Sequence, residues 1–385
     1  MTKIAILIDR LNIGGVEKTA IQQVFHLRKI GLNAHLVVLN RKSVVANPLP
    51  ELTQKIEPII YLSDRLPKII QTIDFKFPIF AFFSFFHLFY PLIIPFYVKK
   101  KEFDYIISHS SYTTLSAITI KLYRKIPFSI FFWDPINYII NRVYKQKFNP
   151  LLFRLINKLS IFIDKFILNY TDYILVGSKA HHSYFNKIKP DKKIITAYPS
   201  STIGKPSRFK NNKALMVTAW KLGKNPKCII DIARNSPKVK IDLVGKWLDK
   251  KMLSDFKKDL LKYKLSDNIK ILGQVTENKL FHLYPKYNVL LTTNKEMGFG
   301  MPVFEAACHG TTFIVPKGSG VCPFFKNKVD GYFFEENNIK DISKYLGILT
   351  TNKKLAKQMG LSAYKKASSY TWQKHVNKIL SVINY

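Results

Sequence analysis

A glycine-containing loop stands between a predicted strand and a predicted helix in the second half of the chain. The apolar run 289–291 predicts a buried strand, Gly298 and Gly300 follow it, and a helical pattern opens near Val303. Glycines let backbone N–H groups approach a ligand, and the N-terminus of a helix favours negative charge. The arrangement suits an anionic or polyhydroxylated ligand, although a tight turn without a ligand would use the same residues.

Glu305 is predicted to lie in the first turn of that helix. A carboxylate there interacts favourably with the helix dipole, and it can also accept hydrogen bonds from sugar hydroxyls. First-turn acids are common in helices that bind nothing. The residue types alone therefore leave both interpretations open.

The stretch GFGMPVFEAACHG, residues 298–310, resembles the signature of retaining, nucleotide-sugar-dependent glycosyltransferases of family 4. The fold of that family is called GT-B. Its signature has two glutamates, and Glu305 matches the second, so the resemblance implies that Glu305 binds the ribose of the donor. The first glutamate falls at Met297, and the nearest acid, Glu296, lies one residue earlier. The chain thus departs from the signature at the glutamate that faces the sugar.

The resemblance also implies which backbone groups bind the donor. In the family, the N–H groups at the positions of Gly298, Phe299 and Gly300 orient the donor sugar. The segment 268–276, NIKILGQVT, resembles the family's stretch whose backbone contacts the nucleotide base. We therefore expect Val275 to lie near the base.

Two lysines follow the first predicted strand of the C-terminal half. Lys224 matches a family lysine that binds the donor diphosphate, and the family's arginine position falls on Ala219 or Lys221. Two lysines can neutralise a diphosphate as point charges, without the forked geometry of arginine. The resemblance thus implies that Lys221 and Lys224 offset charge on the leaving diphosphate.

The N-terminus has the order strand, loop, helix and strand, which is typical of a doubly wound domain. Gly14 and Gly15 occupy the loop after the strand at 3–8, and no G-x-G-x-x-G fingerprint indicates a dinucleotide site. The letters GGVEK resemble the family's N-terminal loop G-G-x-E-K/R. The resemblance implies that these glycines approach the donor diphosphate.

Two further predicted strands end in residues that could assist the reaction. The segment 103–109 ends in His109, and the segment 128–134 ends in Trp133 and Asp134, where many family members have a histidine. Either His109 or Asp134 assists, or neither does. A histidine at the end of a parallel strand is as often a core residue as a catalytic one.

The resemblance covers nearly the whole chain and implies an α/β fold with two doubly wound Rossmann-like domains facing each other across a cleft. We expect an N-terminal domain over 1–198 and a linker over 199–212, which is rich in Pro, Ser, Gly and Lys. A C-terminal nucleotide-sugar-binding domain follows over 213–370. The segment 371–385 is expected to be a helix that crosses back to the first domain.

The composition bounds the protein class. The chain has 385 residues and is 47% hydrophobic, so it can form two ordinary domains. Its net charge of +36 implies an anionic partner such as a membrane surface, phosphorylated ligands or nucleic acid. The cysteines are odd in number and lack a C-x-x-C pair, which favours reduced, buried thiols in a cytosolic protein: Cys228, Cys308 and Cys322.

Two apolar segments could contact a membrane. The segment 77–98 contains no Lys, Arg, Asp or Glu, but Pro78, Pro91 and Pro95 are expected to break a helix there. We favour an interfacial segment, with a membrane span and a buried core helix as alternatives. The segment 150–170 predicts a basic amphipathic helix, which is either a second membrane-facing surface or an ordinary surface helix.

These observations predict a retaining hexosyltransferase with a nucleotide sugar, bound through UDP or GDP, as co-substrate. No cofactor is expected, and the resemblance implies that no metal is needed. The acceptor would be a glycan or glycolipid, and the enzyme would lie in the cytoplasm, peripheral at the inner face of the cell membrane. The alternatives are a catalytically inactive GT-B protein that binds a glycan or a partner, and a basic nucleic-acid-binding protein. The chain has no helix-turn-helix, zinc-finger or RNP-type motif that would support the latter.

Overall fold

The computed structural model describes residues 2–12, 14–41, 47–71, 86–145, 148–206, 211–294 and 298–383. The chain divides into a first unit, residues 1–198 with 372–385, and a second unit, residues 199–371. Each unit contains one sheet whose neighbouring strands pair in parallel. The predicted fold class of two doubly wound, Rossmann-like α/β domains is confirmed.

The sheet of the first unit has the order β3-β2-β1-β4-β5-β6-β7. Its strands are apolar along nearly their whole length because helices cover both faces of a parallel sheet. The first strand lies inside the sheet, so the chain winds outward to one side and then to the other. The strands are β1 (Lys3–Ile8), β2 (Asn33–Val38), β3 (Ile60–Tyr61), β4 (Tyr105–His109), β5 (Phe128–Phe132), β6 (Tyr173–Val176) and β7 (Ile194–Thr196).

The helices of the first unit pack on the sheet through apolar faces. Four of these helices, which span residues 86–97, 111–124, 150–170 and 179–188, share one hydrophobic core with the strands. The C-terminal helix belongs to this unit and packs against its first helix. The helices are α1 (Gly15–Lys29), α2 (Pro50–Lys55), α3 (Lys68–Gln71), α4 (Phe86–Tyr97), α5 (Ser111–Arg124), α6 (Ile136–Ile139), α7 (Pro150–Tyr170), α8 (Lys179–Ile188) and, at the C-terminus, α15 (Trp372–Ile383).

The apolar segment 77–98 is described from residue 86 onward, so residues 77–85 lie outside the described part. The expectation that prolines break a helix here is wrong for Pro91 and Pro95, which lie inside α4. Side chains satisfy carbonyl groups near the end of this helix. Arg124 Nε donates to the Pro95 carbonyl at 2.8 Å, and Arg65 Nη1 donates to the Tyr97 carbonyl at 3.0 Å.

One face of α4 is a core face, as the buried-helix alternative predicts. Tyr90 and Ile94, together with Val98 directly after the helix, are at most 1% exposed and pack in the core of the first unit. The opposite face carries Leu92 and Phe96, which are 63% and 60% exposed. Considering the described ranges alone, no helix combines the length and apolar character needed to cross a membrane.

The sheet of the second unit has the order β10-β9-β8-β11-β12-β13. In chain order the first of these strands begins at Asn211, inside the segment predicted as a linker. It starts there because Asn211 already pairs with Tyr287 on the neighbouring strand. The elements are β8 (Asn211–Val217), α9 (Lys227–Arg234), β9 (Lys240–Val244), α10 (Lys250–Lys262), β10 (Ile269–Gly273), α11 (Glu277–Leu283), β11 (Tyr287–Leu291), α12 (Met301–Cys308), β12 (Thr312–Pro316), β13 (Tyr332–Phe334), α13 (Ile339–Thr351) and α14 (Lys353–Ser368).

The three cysteines are free and buried, as predicted. A buried carboxylate joins the turn before β13 to α14. Asp330 is 0% exposed, and its oxygens accept from Ser362 Oγ at 2.7 Å, from the ammonium of Lys366 and from the backbone N–H of Lys326. These three donors offset the cost of burying the charge.

We predict that Asp330→Ala destabilises the second unit by about 2–3 kcal/mol, because it leaves the donors around the carboxylate without an acceptor. Urea unfolding followed by circular dichroism measures this loss. Asp231→Ala is the matched control, since Asp231 faces Arg234 at 3.9 Å on the surface. That control should cost less than about 0.5 kcal/mol. Equal effects of the two substitutions would contradict the assignment.

Candidate functional site

The sheet of the second unit has a topological switch point, where the loops at the carboxyl ends of two neighbouring strands diverge. From β8 the chain proceeds to β9 and β10 on one side, and β11, β12 and β13 lie on the other. The loops after β8 and β11 therefore leave neighbouring strands in diverging directions. Ligands of open α/β sheets bind at this topological switch point.

The turn after β8 is held by a pair of tryptophans that sequence reasoning missed. Trp220 is fully buried, and its backbone N–H donates to the Lys246 carbonyl at 2.8 Å. Its ring stacks on Trp247, with the ring centroids 5.3 Å apart. Each tryptophan comes three residues after its strand ends, at Val217 and Val244. That matched spacing is the signal that could have revealed the pair.

The predicted lysines lie on this turn. Lys221 is exposed, and Lys224 is half-buried at the end of a 3₁₀ turn over Leu222–Lys224. Thr293, two residues beyond β11, donates its hydroxyl to the Lys224 carbonyl at 3.1 Å. This hydrogen bond connects the lysine turn to the loop that leads to the glycines.

The glycine loop ends in a backbone conformation that only glycine adopts readily. Gly300 has φ +85° and ψ 48° and precedes the first residue of α12. The side chain of Phe299 is 1% exposed and packs on Phe304, so only its backbone can face a ligand. The Gly298 carbonyl accepts from the Gly320 N–H at 3.3 Å, which fixes the backbone of the loop just before α12.

Glu305 lies in the second turn of α12, and the expectation of a first-turn position is wrong. The helix begins at Met301, earlier than predicted, because Gly300 supplies the N-cap and Pro302 fits the first turn. Glu305 is therefore a buried side chain and not an N-terminal dipole partner. It is 3% exposed.

Tyr284 positions this buried carboxylate. Its hydroxyl donates to Glu305 Oε2 at 2.6 Å, and its carbonyl accepts from Thr311 Oγ1 at 2.6 Å. Burial and the charge of Glu305 raise the pKa of Tyr284 well above its usual range, so the phenol keeps its proton. Sequence reasoning missed Tyr284, since no motif contains it.

Of three further residues predicted to bind the nucleotide-sugar donor, the structure describes one. Val275 is half-buried between β10 and α11, at the same edge of the sheet as the glycine loop. Glu296 and Met297 lie outside the described residues. Within the described ranges, no three His, Cys, Asp or Glu side chains converge as metal ligands.

The first unit has its own switch point, between β1 and β4. Gly14 is the N-cap of α1 and Gly15 its first residue, so both predicted glycines lie in the loop after β1. Asp134 follows β5 and is half-buried. Asp9 directly follows β1, so both carboxylates lie after strands of this sheet. Burial, with smaller contributions from Tyr144, Asp164, Asp134 and Asp9, raises the pKa of Tyr112 well above its usual range.

His109 is a core residue in this structure. It is 0% exposed and ends β4 as predicted. Its Nδ1 accepts from Trp133 Nε1 at 3.2 Å, and its Nε2 donates to Gln23 Oε1 at 2.7 Å. Both ring nitrogens are thus engaged, and neither can face a substrate. Of the alternatives left open by the sequence, the geometry favours a core residue at His109.

The hydrogen bonds of His109 continue to the C-terminal helix. Gln23 Nε2 donates to His375 Nε2 at 3.0 Å, and His375 Nδ1 donates to the Tyr198 carbonyl at 2.8 Å. Since indole only donates and a carbonyl only accepts, one neutral tautomer of each histidine satisfies every bond. The network ties β4, α1 and α15 together.

The second unit matches a known protein family in sequence. Residues 202–366 match the family model described as glycosyl transferases group 1. These residues cover almost the whole of that unit. No curated protein matches the sequence of the chain.

Solved structures extend the likeness over the whole chain. HepE from Anabaena in complex with UDP-glucose is 14% identical, with TM-score 0.76 and 100% of both chains covered. Sucrose-phosphate synthase from Thermosynechococcus elongatus is 12% identical, with TM-score 0.80, covering 100% of this chain and 98% of that one. A variant of S. aureus TarM in complex with fondaparinux, alpha-GlcNAc-glycerol and UDP is 13% identical, with TM-score 0.75 and full coverage of both. At these identities the likeness shows the fold, which is GT-B.

We predict that acid weakens the first unit through its buried histidines. Burial lowers the pKa of His109 to about 3 and that of His181 and His375 to about 4, from an ordinary value of 6.5. The unfolded chain binds these protons near pH 6.5 and the folded chain does not. The stability they contribute is therefore present above pH 6.5 and is lost as pH falls, by about 2 kcal/mol per histidine at pH 5.

Urea unfolding at a series of pH values between 7 and about 5 measures this dependence. His375→Gln should reduce the loss on acidification by the share of one histidine. Asn377→Gln, an exposed substitution on the same helix, should leave the pH dependence unchanged. A His375→Gln profile that parallels the unsubstituted chain would sink the prediction.

Proposed function

We propose that this chain transfers a hexose from a nucleotide-sugar donor to a membrane-borne or lipid-linked glycan acceptor, because residues 202–366 match the family model of glycosyl transferases group 1. One observation carries the proposal. At the switch point of the second unit, the lysine turn after β8 is hydrogen-bonded, through Thr293, to the loop that ends in Gly298 and Gly300.

The lysines supply the electrostatic part of the reaction. When the bond to the sugar breaks, negative charge builds on the departing diphosphate. Lys221 and Lys224 offset that charge from a turn that the stacked tryptophans hold in place. In the first unit, Gly14 and Gly15 lie at the N-terminus of α1, where their backbone N–H groups can bind an anionic group of a substrate.

The glycine loop and α12 bind the sugar and the nucleotide. Backbone N–H groups at Gly298, Phe299 and Gly300 orient the hexose. Glu305 accepts from the ribose hydroxyls, and Tyr284 fixes the orientation of its carboxylate. UDP is the first nucleotide to test, because the HepE and TarM structures to which the chain is similar contain UDP or UDP-glucose.

The proposed transfer retains the configuration of the sugar and requires no metal. With a diphosphate as leaving group, the reaction does not need the pair of carboxylates that glycosidases use. The enzyme would act from the cytoplasm at the inner face of the cell membrane. The net charge of +36 supports an anionic surface as its place of action.

We predict that UDP raises the melting temperature of the chain, since a ligand of the native state stabilises it by mass action. Calorimetric titration with UDP should show a Kd about tenfold weaker for Lys224→Ala, which removes a charge-assisted contact. Tyr284→Phe should also weaken binding, because Glu305 loses the hydroxyl that orients it.

Lys240→Ala is the matched control for the lysine substitution. Lys240 is exposed and begins β9, so it lies at the opposite edge of the sheet. Its loss should leave the Kd for UDP unchanged. If Lys224→Ala and Lys240→Ala weakened UDP binding equally, the effect would reflect general attraction between opposite charges and not a contact made by Lys224. Absence of a shift with UDP, GDP or ADP would overturn the proposed donor site.

We further predict that the chain releases UDP from a UDP-hexose and that release continues in EDTA. The first sugar formed should carry the same anomeric configuration as the donor, which proton NMR at early times resolves. Inversion would contradict retention, and loss of activity in EDTA would contradict metal independence. Nucleotide binding with no turnover of any donor would favour the catalytically inactive alternative.

A further inference from the structure

Helix α7 presents polar side chains to the protein interior. Asp164 is 3% exposed, and its carboxylate accepts from the backbone N–H groups of Ile136 at 3.1 Å and Asn137 at 2.9 Å. Asn157 Oδ1 accepts from Asn137 Nδ2 at 2.8 Å and from Asn141 Nδ2 at 2.7 Å. The helix is thus attached to its neighbours partly through hydrogen bonds.

The outward face of the same helix is apolar. Leu151, Leu155, Leu159 and Phe162 are 79%, 66%, 55% and 64% exposed. Their spacing of four, four and three residues places them in one stripe. A surface helix of a water-soluble domain normally carries charged residues outward and its apolar stripe toward the core. Helix α7 has three apolar residues among its five buried ones and carries this second apolar stripe on its outward face. Water alone does not explain this orientation.

Basic residues follow one side of the leucine stripe. Arg154, Lys158 and Lys165 are exposed and recur at helical spacing beside Leu155 and Leu159. The only acidic residue of α7 is the buried Asp164. An amphipathic helix with an apolar stripe and basic flanks, and without exposed acids, has the chemistry of an interfacial helix on anionic lipid.

Neighbouring helices carry the same combination of residues. Leu92 and Phe96 of α4 are exposed, and the Phe96 ring lies 5.1 Å from the ring of Tyr123 on α5, itself 60% exposed. Helix α5 packs against both α4 and α7. Three exposed lysines, 99–101, follow α4. The apolar and basic surface is therefore not confined to a single helix.

We propose that the outward face of α7 docks on a membrane surface that contains anionic phospholipid. The leucines and Phe162 enter the boundary between headgroups and acyl chains. Arg154, Lys158 and Lys165 contact lipid phosphates, with their aliphatic stems on the apolar side. This docking surface goes beyond the proposed sugar transfer and does not depend on it.

The charges favour lipid over a second copy of the chain. In a two-fold dimer through this face, both copies of the basic row of α7 would lie at the same interface. Each chain would also bring a net charge of +36. An anionic bilayer instead offers opposite charge and an apolar layer at the same surface.

Co-sedimentation of the full chain with vesicles tests the proposal. Vesicles of phosphatidylcholine alone are compared with vesicles containing about 30% phosphatidylserine, at about 0.1 M and about 1 M salt. Binding should require phosphatidylserine at low salt and fall at high salt. The variant Leu155→Glu/Leu159→Glu should reduce partitioning at least tenfold, to order of magnitude, because it puts two carboxylates into the stripe.

Leu261→Glu is the matched control, since Leu261 is 72% exposed on α10 in the second unit. It should bind vesicles like the unsubstituted chain. Equal partitioning of the double variant and the unsubstituted chain would overturn the proposal. So would a dimer, seen by light scattering without lipid, that the double variant dissociates. Calorimetric titration with UDP on the double variant separates the two proposals, because docking and nucleotide binding use different residues.

Discussion

The burial of both faces of a parallel sheet is the constraint from which each unit follows. Strands such as β5 and β11 are buried at every residue and are mostly apolar, so helices must cover them on two sides. Because right-handed crossovers place successive helices on a face set by the direction of winding, covering both faces requires the winding to reverse. The reversal occurs beside β1 in one unit and beside β8 in the other. The loops that diverge there contain the glycines and lysines assigned to binding.

Buried polar groups then hold those loops in register. Helix α12 is apolar and buried along most of its length, yet it contains Glu305. Packing alone would be served as well by an apolar residue, since a buried carboxylate loses solvation. Tyr284 offsets that loss with a hydrogen bond, and Thr311 in turn fixes the backbone of Tyr284. A carboxyl group kept in an apolar helix at a switch point supports the proposal that Glu305 binds a ligand.

The sequence predicts the strands well because a strand buried on both faces is a plain apolar run. It locates β1, β4 and β11 and the glycine loop without difficulty. It misplaces the start of α12, because the left-handed backbone of Gly300 that ends the loop is a conformational property and not a residue pattern. It leaves the role of His109 open because the partners of that ring, Gln23 and Trp133, are distant in sequence.

Periodicity has a related limit, which α7 illustrates. A helical stripe of leucines has the same period whether it faces a core or a lipid surface, so the pattern alone cannot give the direction. The polar side of the helix decides it. Asp164 and Asn157 accept hydrogen bonds from the backbone N–H and the side-chain amide of Asn137. Rotating the helix to bury the leucines would leave these donor groups of Asn137 without acceptors. The interior contacts on the polar side of α7 therefore hold the apolar stripe outward, where its leucines and Phe162 are more than half exposed.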